Sequence, residues 1–392
     1  MQRIMRGNEV TALGAKLARP DVVPAYPITP STLFPERISE YVANGEMDAE
    51  FMLVESEHSA MSAAIGASAS GARVCTATAS QGLALMHEML FIAAGMRLPI
   101  VMAVGNRALS APINIWGDQQ DSVSERDAGW IHFYAESNQE ALDFMVIAFR
   151  VAEDRRVYLP ALVGLDGFVL THTMEAVDVP EQEKVDAFLP KYVPHCLLDT
   201  ERPITIGALG TPDYYMETRY ALHTALMESA KVIDEAFDEW ARAFGRRYAR
   251  VETYRTEDAD IVIITMWSMA GTCRVAVDRM RSAGKRVGMA KIVVLRPFPA
   301  DKLREAIKGA RAVAVAERAV SLGYGGSTYA ELAGHLVNDP KRPMLISGII
   351  GLGGRDILPE HFEELAARAE RALQTGKIEE FTSWPGLNRE VL

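Results

Sequence analysis

A hydroxyl fixed between two prolines and a carboxylate set ahead of a run of small residues are the first groups in this chain suited to chemistry. Tyr26-Pro27-Ile28-Thr29-Pro30-Ser31 holds Thr29 in a stiff turn, because each proline ring fixes its own φ. Glu55-Ser56-Glu57-His58-Ser59-Ala60 places Glu57 ahead of Ser62, Ala63, Ala64, Gly66 and Ala67. Glu57 admits two readings. It is a first-turn acid favoured by the helix macrodipole, or it is a buried carboxyl that hydrogen-bonds a ring nitrogen of a planar cofactor, for which small neighbours leave room. Thr29 either bonds the backbone of its own turn or faces a substrate.

A third candidate is Arg107, in Asn106-Arg107, which follows the apolar run Ile100 to Val104. An arginine at a strand's carboxyl end can fork a carboxylate or a phosphate. The plainer reading is a surface or inter-subunit ion pair. Ser80-Gln81-Gly82-Leu83 forms another strand-to-helix turn, with Ser80 as a helix cap. In Trp116-Gly117-Asp118-Gln119-Gln120-Asp121 the two aspartates read as loop-ordering groups rather than metal ligands. Gly351-Leu352-Gly353-Gly354 has the form of a phosphate cradle, a weak motif because glycine-rich turns are common.

The elements that must position these groups alternate. Apolar runs at Val22–Tyr26, Phe51–Val54, Arg73–Thr78, Pro99–Val104 and Leu159–Gly164 predict strands. Helical spacing falls between them, with Asn8 capping the first helix and Gln81–Ala94 forming one of the others. Continuous apolar strands separated by helices predict a parallel sheet covered on both faces. Such a sheet gathers the turns after its strands along one edge, where open α/β folds place their sites. Prolines 180, 190, 194, 203 and 212 then mark an extended connection, followed by a charged helix. A second α/β series runs from Ile261–Met266 to a last helix at Pro359–Leu373.

Composition narrows the function classes. Net charge is −11, from 41 basic and 52 acidic residues, which gives no basic footprint for nucleic acid. No apolar run reaches the roughly 20 residues of a membrane span, and Met1–Arg6 lacks an apolar leader core, so a cytoplasmic location is expected. Cys75, Cys196 and Cys273 form no Cys-x-x-Cys pair, so an iron–sulfur cluster or zinc site on this chain is not expected.

Taken in order, Tyr26–Ser31, Glu55–Ala60, Thr78–Met86, Asn106–Ala108, Gly117–Asp121, Leu295–Phe298 and Gly351–Asp356 resemble the alpha subunit of 2-oxoacid:ferredoxin oxidoreductases. Pyruvate:ferredoxin oxidoreductase is the best-known member of that family. The resemblance covers nearly the whole chain, and its specificity lies in the joint order of the motifs. It implies an α/β fold: a thiamine-diphosphate pyrimidine-binding domain with its connector over residues 1–235, a domain like the C-terminal domain of transketolase over 250–375, and a tail, 376–392, that docks on a partner.

The resemblance also implies oxidative decarboxylation of a 2-oxoacid with coenzyme A. Electrons would leave through [4Fe-4S] clusters in partner subunits to ferredoxin, or to an NAD-linked flavin subunit. A beta subunit would hold the cofactor's diphosphate and Mg²⁺ through a Gly-Asp-Gly motif; here Gly117-Asp118 continues with Gln119. Gamma and delta subunits complete the expected set. Glu57 matches the glutamate facing the aminopyrimidine, Arg107 the substrate-carboxylate arginine, and Thr29 the substrate-side hydroxyl, with Ser80 and Gln81 on the cofactor side. Thr29 stands where the oxalate-acting branch has arginine, which argues against oxalate. Trp267 stands where glycine is expected in pyruvate enzymes, which leaves the second domain's packing and an aromatic substrate such as phenylglyoxylate open. Two other readings are a transketolase-like transferase subunit and a non-catalytic scaffold subunit; a scaffold has no need of Glu57.

Overall fold

The computed structural model describes residues 1–392. The first half runs β1 (Gln2–Arg6), α1 (Gly7–Ala18), β2 (Val22–Ala25), α2 (Leu33–Ala43), β3 (Glu50–Leu53), α3 (Glu57–Ala69), β4 (Cys75–Thr78), α4 (Ser80–Leu85), α5 (His87–Gly95), β5 (Val101–Asn106), α6 (Gln120–Ser124), β6 (Ile131–Tyr134), α7 (Asn138–Ala152), β7 (Ala161–Asp166), β8 (Met174–Asp178) and α8 (Gln182–Phe188). After the connector come α9 (Pro212–Phe244), β9 (Val251–Tyr254), β10 (Ile261–Met266), α10 (Met269–Ser282), β11 (Val287–Ile292), β12 (Val294–Arg296), α11 (Ala300–Ala306), β13 (Ala312–Glu317), α12 (Ser327–Leu336), β14 (Met344–Ile349), α13 (Pro359–Thr375) and β15 (Thr382–Ser383).

The parallel sheet expected from the apolar runs is present. β4, β5, β7 and β6 pair in parallel, and Val22 bridges Val74 to bring the β2–β3 pair alongside. The resulting order is β3-β2-β4-β5-β7-β6. The chain steps outward from β2 to β3, then crosses back past β2 to β4. That reversal makes a topological switch point at the carboxyl ends of β2 and β4, the place where ligands of open α/β sheets bind. The second sheet has the order β15-β14-β13-β10-β11-β9, parallel except where β9 meets β11.

The domains are not beads on a string. β12 leaves the second domain's series to pair antiparallel with β6 of the first sheet. Val293 and Val294 bury in the first domain's core, while Val123 and Tyr134 of the first pack into the second's. Lys291, 1% exposed, carries its ammonium to Glu136 at 2.9 Å, Glu140 at 2.7 Å and Glu252 at 2.8 Å. Those three carboxylates gather closely enough to hold a metal, but Lys291 already supplies the cation. In the tail, β15 adds to the edge of the second sheet beside β14.

Some local expectations give way. Asn8 is not a cap: it lies inside α1 and reaches across to donate to the Pro30 carbonyl at 2.5 Å. The helix expected over 81–94 is two, α4 and α5, parted at Met86, whose ψ of −8° opens the helical ladder. Trp267 is fully buried with φ of 71°, a left-handed backbone that glycine adopts freely and tryptophan does not. Its ring fills the domain boundary, with the Arg318 guanidinium 5.2 Å above it.

Arg318 Nη1 also lies 3.6 Å from Asp166 at the end of β7. Asp166 is fully buried and no side chain hydrogen-bonds its oxygens. Burial pushes its carboxyl up to about 7, against the opposing pulls of Arg318 and of the Ser268 amide. A folded-state value above the unfolded one means that the native chain binds this proton more tightly. This contribution to stability is therefore full below about pH 4 and lost as pH rises through about 7. Asp166→Asn is expected to flatten the fall of Tm between pH 5 and pH 8; scanning calorimetry of both proteins across that range checks it, and parallel curves would refute it.

Candidate functional site

Four turns meet at the carboxyl edge of the first sheet. The turn after β2 is tied down by the Ser31 hydroxyl, which donates to the Thr78 carbonyl at 2.9 Å, and by Asn8 on Pro30. Thr29 is exposed at the top of this turn. Glu57 follows β3 as the first residue of α3, capped by Ser56, whose hydroxyl accepts from the Ser59 amide at 3.2 Å. β4 ends in the Ser80–Gly82 turn, and β5 ends in Asn106 and Arg107.

Glu57 is 6% exposed and its carboxylate takes no hydrogen bond from the protein. Gly82 presses against it. A Cβ at position 82 would lie 2.5 Å from Glu57 Oε1, 2.8 Å from Glu57 Cγ and 2.5 Å from Thr78 Oγ1. The Thr78 hydroxyl and Gln81 Nε2 are buried without partners. A carboxylate, a hydroxyl and an amide left unsatisfied around one glycine suit an outside polar ring better than a packed interior, where such groups are almost always paired. These residues fit the pyrimidine of thiamine diphosphate, which offers ring nitrogens and an amino group. Thr78 is a member that sequence reasoning passed over; only its lack of a partner marks it.

Gly82→Ala is expected to displace Glu57. The assembled protein should lose about 1–3 kcal/mol, the usual cost of overpacking, and bind the cofactor more weakly. Thermal unfolding with and without thiamine diphosphate checks this, and equal ligand-induced shifts in both proteins would refute it.

Ser80 is the first residue of α4, not its cap, and Ala79 takes the cap position. The Ser80 hydroxyl lies 2.6 Å from the Ala108 carbonyl and 2.6 Å from Gln81 Oε1, so it braces the turn from within. Its backbone is left-handed, φ 48°, and its amide donates to Asp121 Oδ2 at 2.9 Å. Asp121 also accepts from the Arg107 amide at 3.0 Å, Asn106 Nδ2 at 2.7 Å and the Ser122 amide at 2.7 Å. It is buried, and burial raises its carboxyl to about 7 despite those four donors. The loop-ordering role read for Asp121 and Asp118 agrees with this geometry.

Arg107 is 7% exposed. Its Nη1 donates to the Thr29 carbonyl at 2.8 Å and its Nε to the Asn114 carbonyl at 2.9 Å. No carboxylate pairs with its guanidinium, and burial lowers its proton affinity. An ion pair within this chain is therefore absent, and the free hydrogens of Nη1 and Nη2 are left for a group from outside it. The structure thus brings the Thr29 backbone and Arg107 together, with Glu57, Thr78, Gln81 and Gly82 in the neighbouring crevice.

The Gly351–Gly354 turn is not a phosphate cradle. The Gly353 amide donates to Asp118 Oδ2 at 3.1 Å and the Gly354 amide to the Gly117 carbonyl at 2.8 Å. The turn clasps the first domain, as an interface element. Two roomy cavities, ≈ 790 and 770 Å³, lie instead by Arg150 and Tyr192 and by Lys16 and Arg73, near the connector, and contain none of the candidate residues.

The family model described as pyruvate flavodoxin/ferredoxin oxidoreductase, thiamine-diphosphate-binding, matches residues 13–238. That of pyruvate:ferredoxin oxidoreductase core domain II matches residues 259–362. Pyruvate synthase subunit PorA of Pyrococcus furiosus is 55% identical, covering 100% of this chain and 99% of its own. Pyruvate synthase subunit PorA of Methanothermobacter thermautotrophicus is 50% identical over 99% of each. Ketoisovalerate oxidoreductase subunit VorA of Pyrococcus horikoshii is 46% identical over 99% of each. Among solved structures, the 2-oxoglutarate:ferredoxin oxidoreductase of Magnetococcus marinus superposes with a TM-score of 0.68 at 22% identity, over 95% of this chain and 65% of that longer one. At that identity the likeness establishes the fold.

Proposed function

The chain belongs to the pyruvate flavodoxin/ferredoxin oxidoreductase family, and from that premise we propose that its own 2-oxoacid is pyruvate and that Glu57, Thr29 and Arg107 form its half of the active site. It is an alpha subunit of a thiamine-diphosphate-dependent 2-oxoacid:ferredoxin oxidoreductase. The observation that carries the site is two buried charged groups along one sheet edge, neither with a counter-charge in this chain: the Glu57 carboxylate, which accepts no hydrogen bond from the protein, and the Arg107 guanidinium, which is held only by the Thr29 and Asn114 carbonyls.

When bound, thiamine diphosphate supplies the carbon nucleophile and the store for the electrons left when CO₂ departs. Glu57 holds a proton against the pyrimidine nitrogen, in a crevice whose dryness and fixed geometry matter more than acidity. Gly82 keeps the carboxyl in place from below. Arg107 anchors the substrate carboxylate, and the Thr29 hydroxyl, on the turn Arg107 grips, faces the keto group. Ser80 and Gln81 brace and line the cofactor side.

The unsatisfied edge needs a second chain to close it. That chain would be a beta subunit carrying Mg²⁺ and the diphosphate, with [4Fe-4S] clusters in the partner subunits, gamma and delta completing the complex. Coenzyme A receives the acyl group and ferredoxin, or an NAD-linked flavin subunit, the electrons. No helix is long and apolar enough to cross a membrane, in keeping with a cytoplasmic enzyme. The greater identity to the pyruvate synthase subunits, 55% against 46% for the ketoisovalerate subunit, favours pyruvate.

The test is anoxic acceptor reduction by the purified complex with coenzyme A, offered pyruvate, 2-oxobutyrate, 2-oxoglutarate, 2-oxoisovalerate and phenylglyoxylate. The highest kcat/KM with pyruvate is expected. A preference for phenylglyoxylate or 2-oxoisovalerate would overturn the substrate assignment and leave the site assignment standing.

A further inference from the structure

The second domain touches the proposed substrate arginine through a single intermediary. Arg107 opens a loop that Trp116 closes, the Ala108 amide donating to the Trp116 carbonyl at 3.0 Å. Within that loop Asn114 has three bonds. Its main-chain carbonyl accepts from Arg107 Nε at 2.9 Å, its Oδ1 accepts from the Trp116 amide at 2.8 Å, and its Nδ2 donates to the Gly353 carbonyl at 3.0 Å. Each end of the Asn114 amide is thus committed, which fixes where its own carbonyl sits.

The partner turn is itself held from several sides. Arg318, buried, donates to the Gly351 and Gly117 carbonyls at 2.9 and 2.7 Å, and Asp118 takes the Gly353 amide. Gly353 and Gly354 have φ of 60° and 82°. A Cβ on Gly353 would lie 2.6 Å from Asn114 Nδ2, and one on Gly354 2.2 Å from the Trp116 Cβ. Glycine is required at both positions, by backbone and by space.

We propose that Asn114 is a positioning residue for substrate binding: through it the Gly351–Arg355 turn of the second domain stations the Arg107 guanidinium. The proposal rests on the reading of Arg107 as the carboxylate anchor. Arg107 has no acidic partner to hold it, so its direction is set by two neutral carbonyls, Thr29 from the β2 turn and Asn114 from the interdomain loop. A guanidinium fixed at Nε and at one hydrogen of Nη1 loses little further freedom when a carboxylate binds, and affinity gains from such preorganisation. The second domain thereby sets KM for the 2-oxoacid without contacting it.

The experiment compares Asn114→Ala, Gly353→Ala and Arg107→Ala in the assembled holoenzyme. The first keeps the main-chain carbonyl that Arg107 meets but removes the side-chain amide that ties it to Gly353 and to Trp116, the second pushes that amide away from the other domain, and neither residue is placed at the reacting atoms. Both variants are expected to raise KM for the 2-oxoacid by about 5–30-fold, with kcat and the KM for coenzyme A changed by less than about threefold, the pattern of lost ground-state binding. Amide hydrogen exchange over residues 107–116 should quicken in both, a readout independent of turnover. If Arg107→Ala raises KM while Asn114→Ala and Gly353→Ala leave it unchanged, the positioning role is wrong and the arginine assignment stands. If Arg107→Ala itself leaves KM unchanged, the assignment falls and this inference with it.

Discussion

Replacing Glu57 by glutamine is expected to lower kcat by about 10²–10⁴-fold, the range for removing a positioned proton-handling group, while Tm and the KM for the 2-oxoacid stay nearly unchanged. The amide has the carboxylate's shape, so the contact with Gly82 persists. No protein hydrogen bond is broken, because Glu57 has none, and no large stability cost follows. What is lost is the ability to hold and release a proton against the pyrimidine nitrogen. Deuterium exchange at C2 of bound thiamine diphosphate isolates that step from substrate binding and from electron transfer. Slow exchange with intact cofactor binding is the expected pair of results. Exchange at the native rate would remove Glu57 from proton handling and leave it a first-turn acid.

The order of strands along the chain was legible because their burial is written in composition: β4, β5 and β7 are buried at every position, and a strand covered on both faces reads as an uninterrupted apolar run. β6 was not legible. Ile131–Tyr134 is a four-residue strand that owes its place partly to β12, a strand far along the chain, and such long-range pairing leaves no local pattern. The positions of Thr29, Glu57 and Arg107 at strand ends could be read from sequence; the states of their polar groups could not. That Arg107 lacks an acid, that Thr78 lacks any partner and that Asp121 gathers four donors are facts about which turns meet across the crevice. Trp267 shows the same limit. Its oddity was visible as a residue type, whereas its cause, a left-handed backbone filled by an indole under Arg318, belongs to the packing of two domains.

Arg107→Ala should separate function from stability more cleanly than any other change in this chain. Truncating one partner of a desolvated charge pair costs about 2–5 kcal/mol of binding, so kcat/KM for the 2-oxoacid is expected to fall by between about 30-fold and about 4,000-fold, carried mainly by KM. In most buried arginines such a loss would come with unfolding, because a carboxylate would be stranded. Here the groups left behind are the Thr29 and Asn114 carbonyls, beside an edge that water reaches before the substrate does. The free protein should therefore keep its Tm to within a few degrees. Lysine at this position should recover only part of the loss, since an ammonium restores the charge but not the planar fork that meets both carboxylate oxygens. Steady-state kinetics and calorimetry on the same three proteins decide the matter. A large fall in Tm with KM unchanged would mean that Arg107 bolts the β2 turn to the interdomain loop and that the substrate carboxylate is held elsewhere.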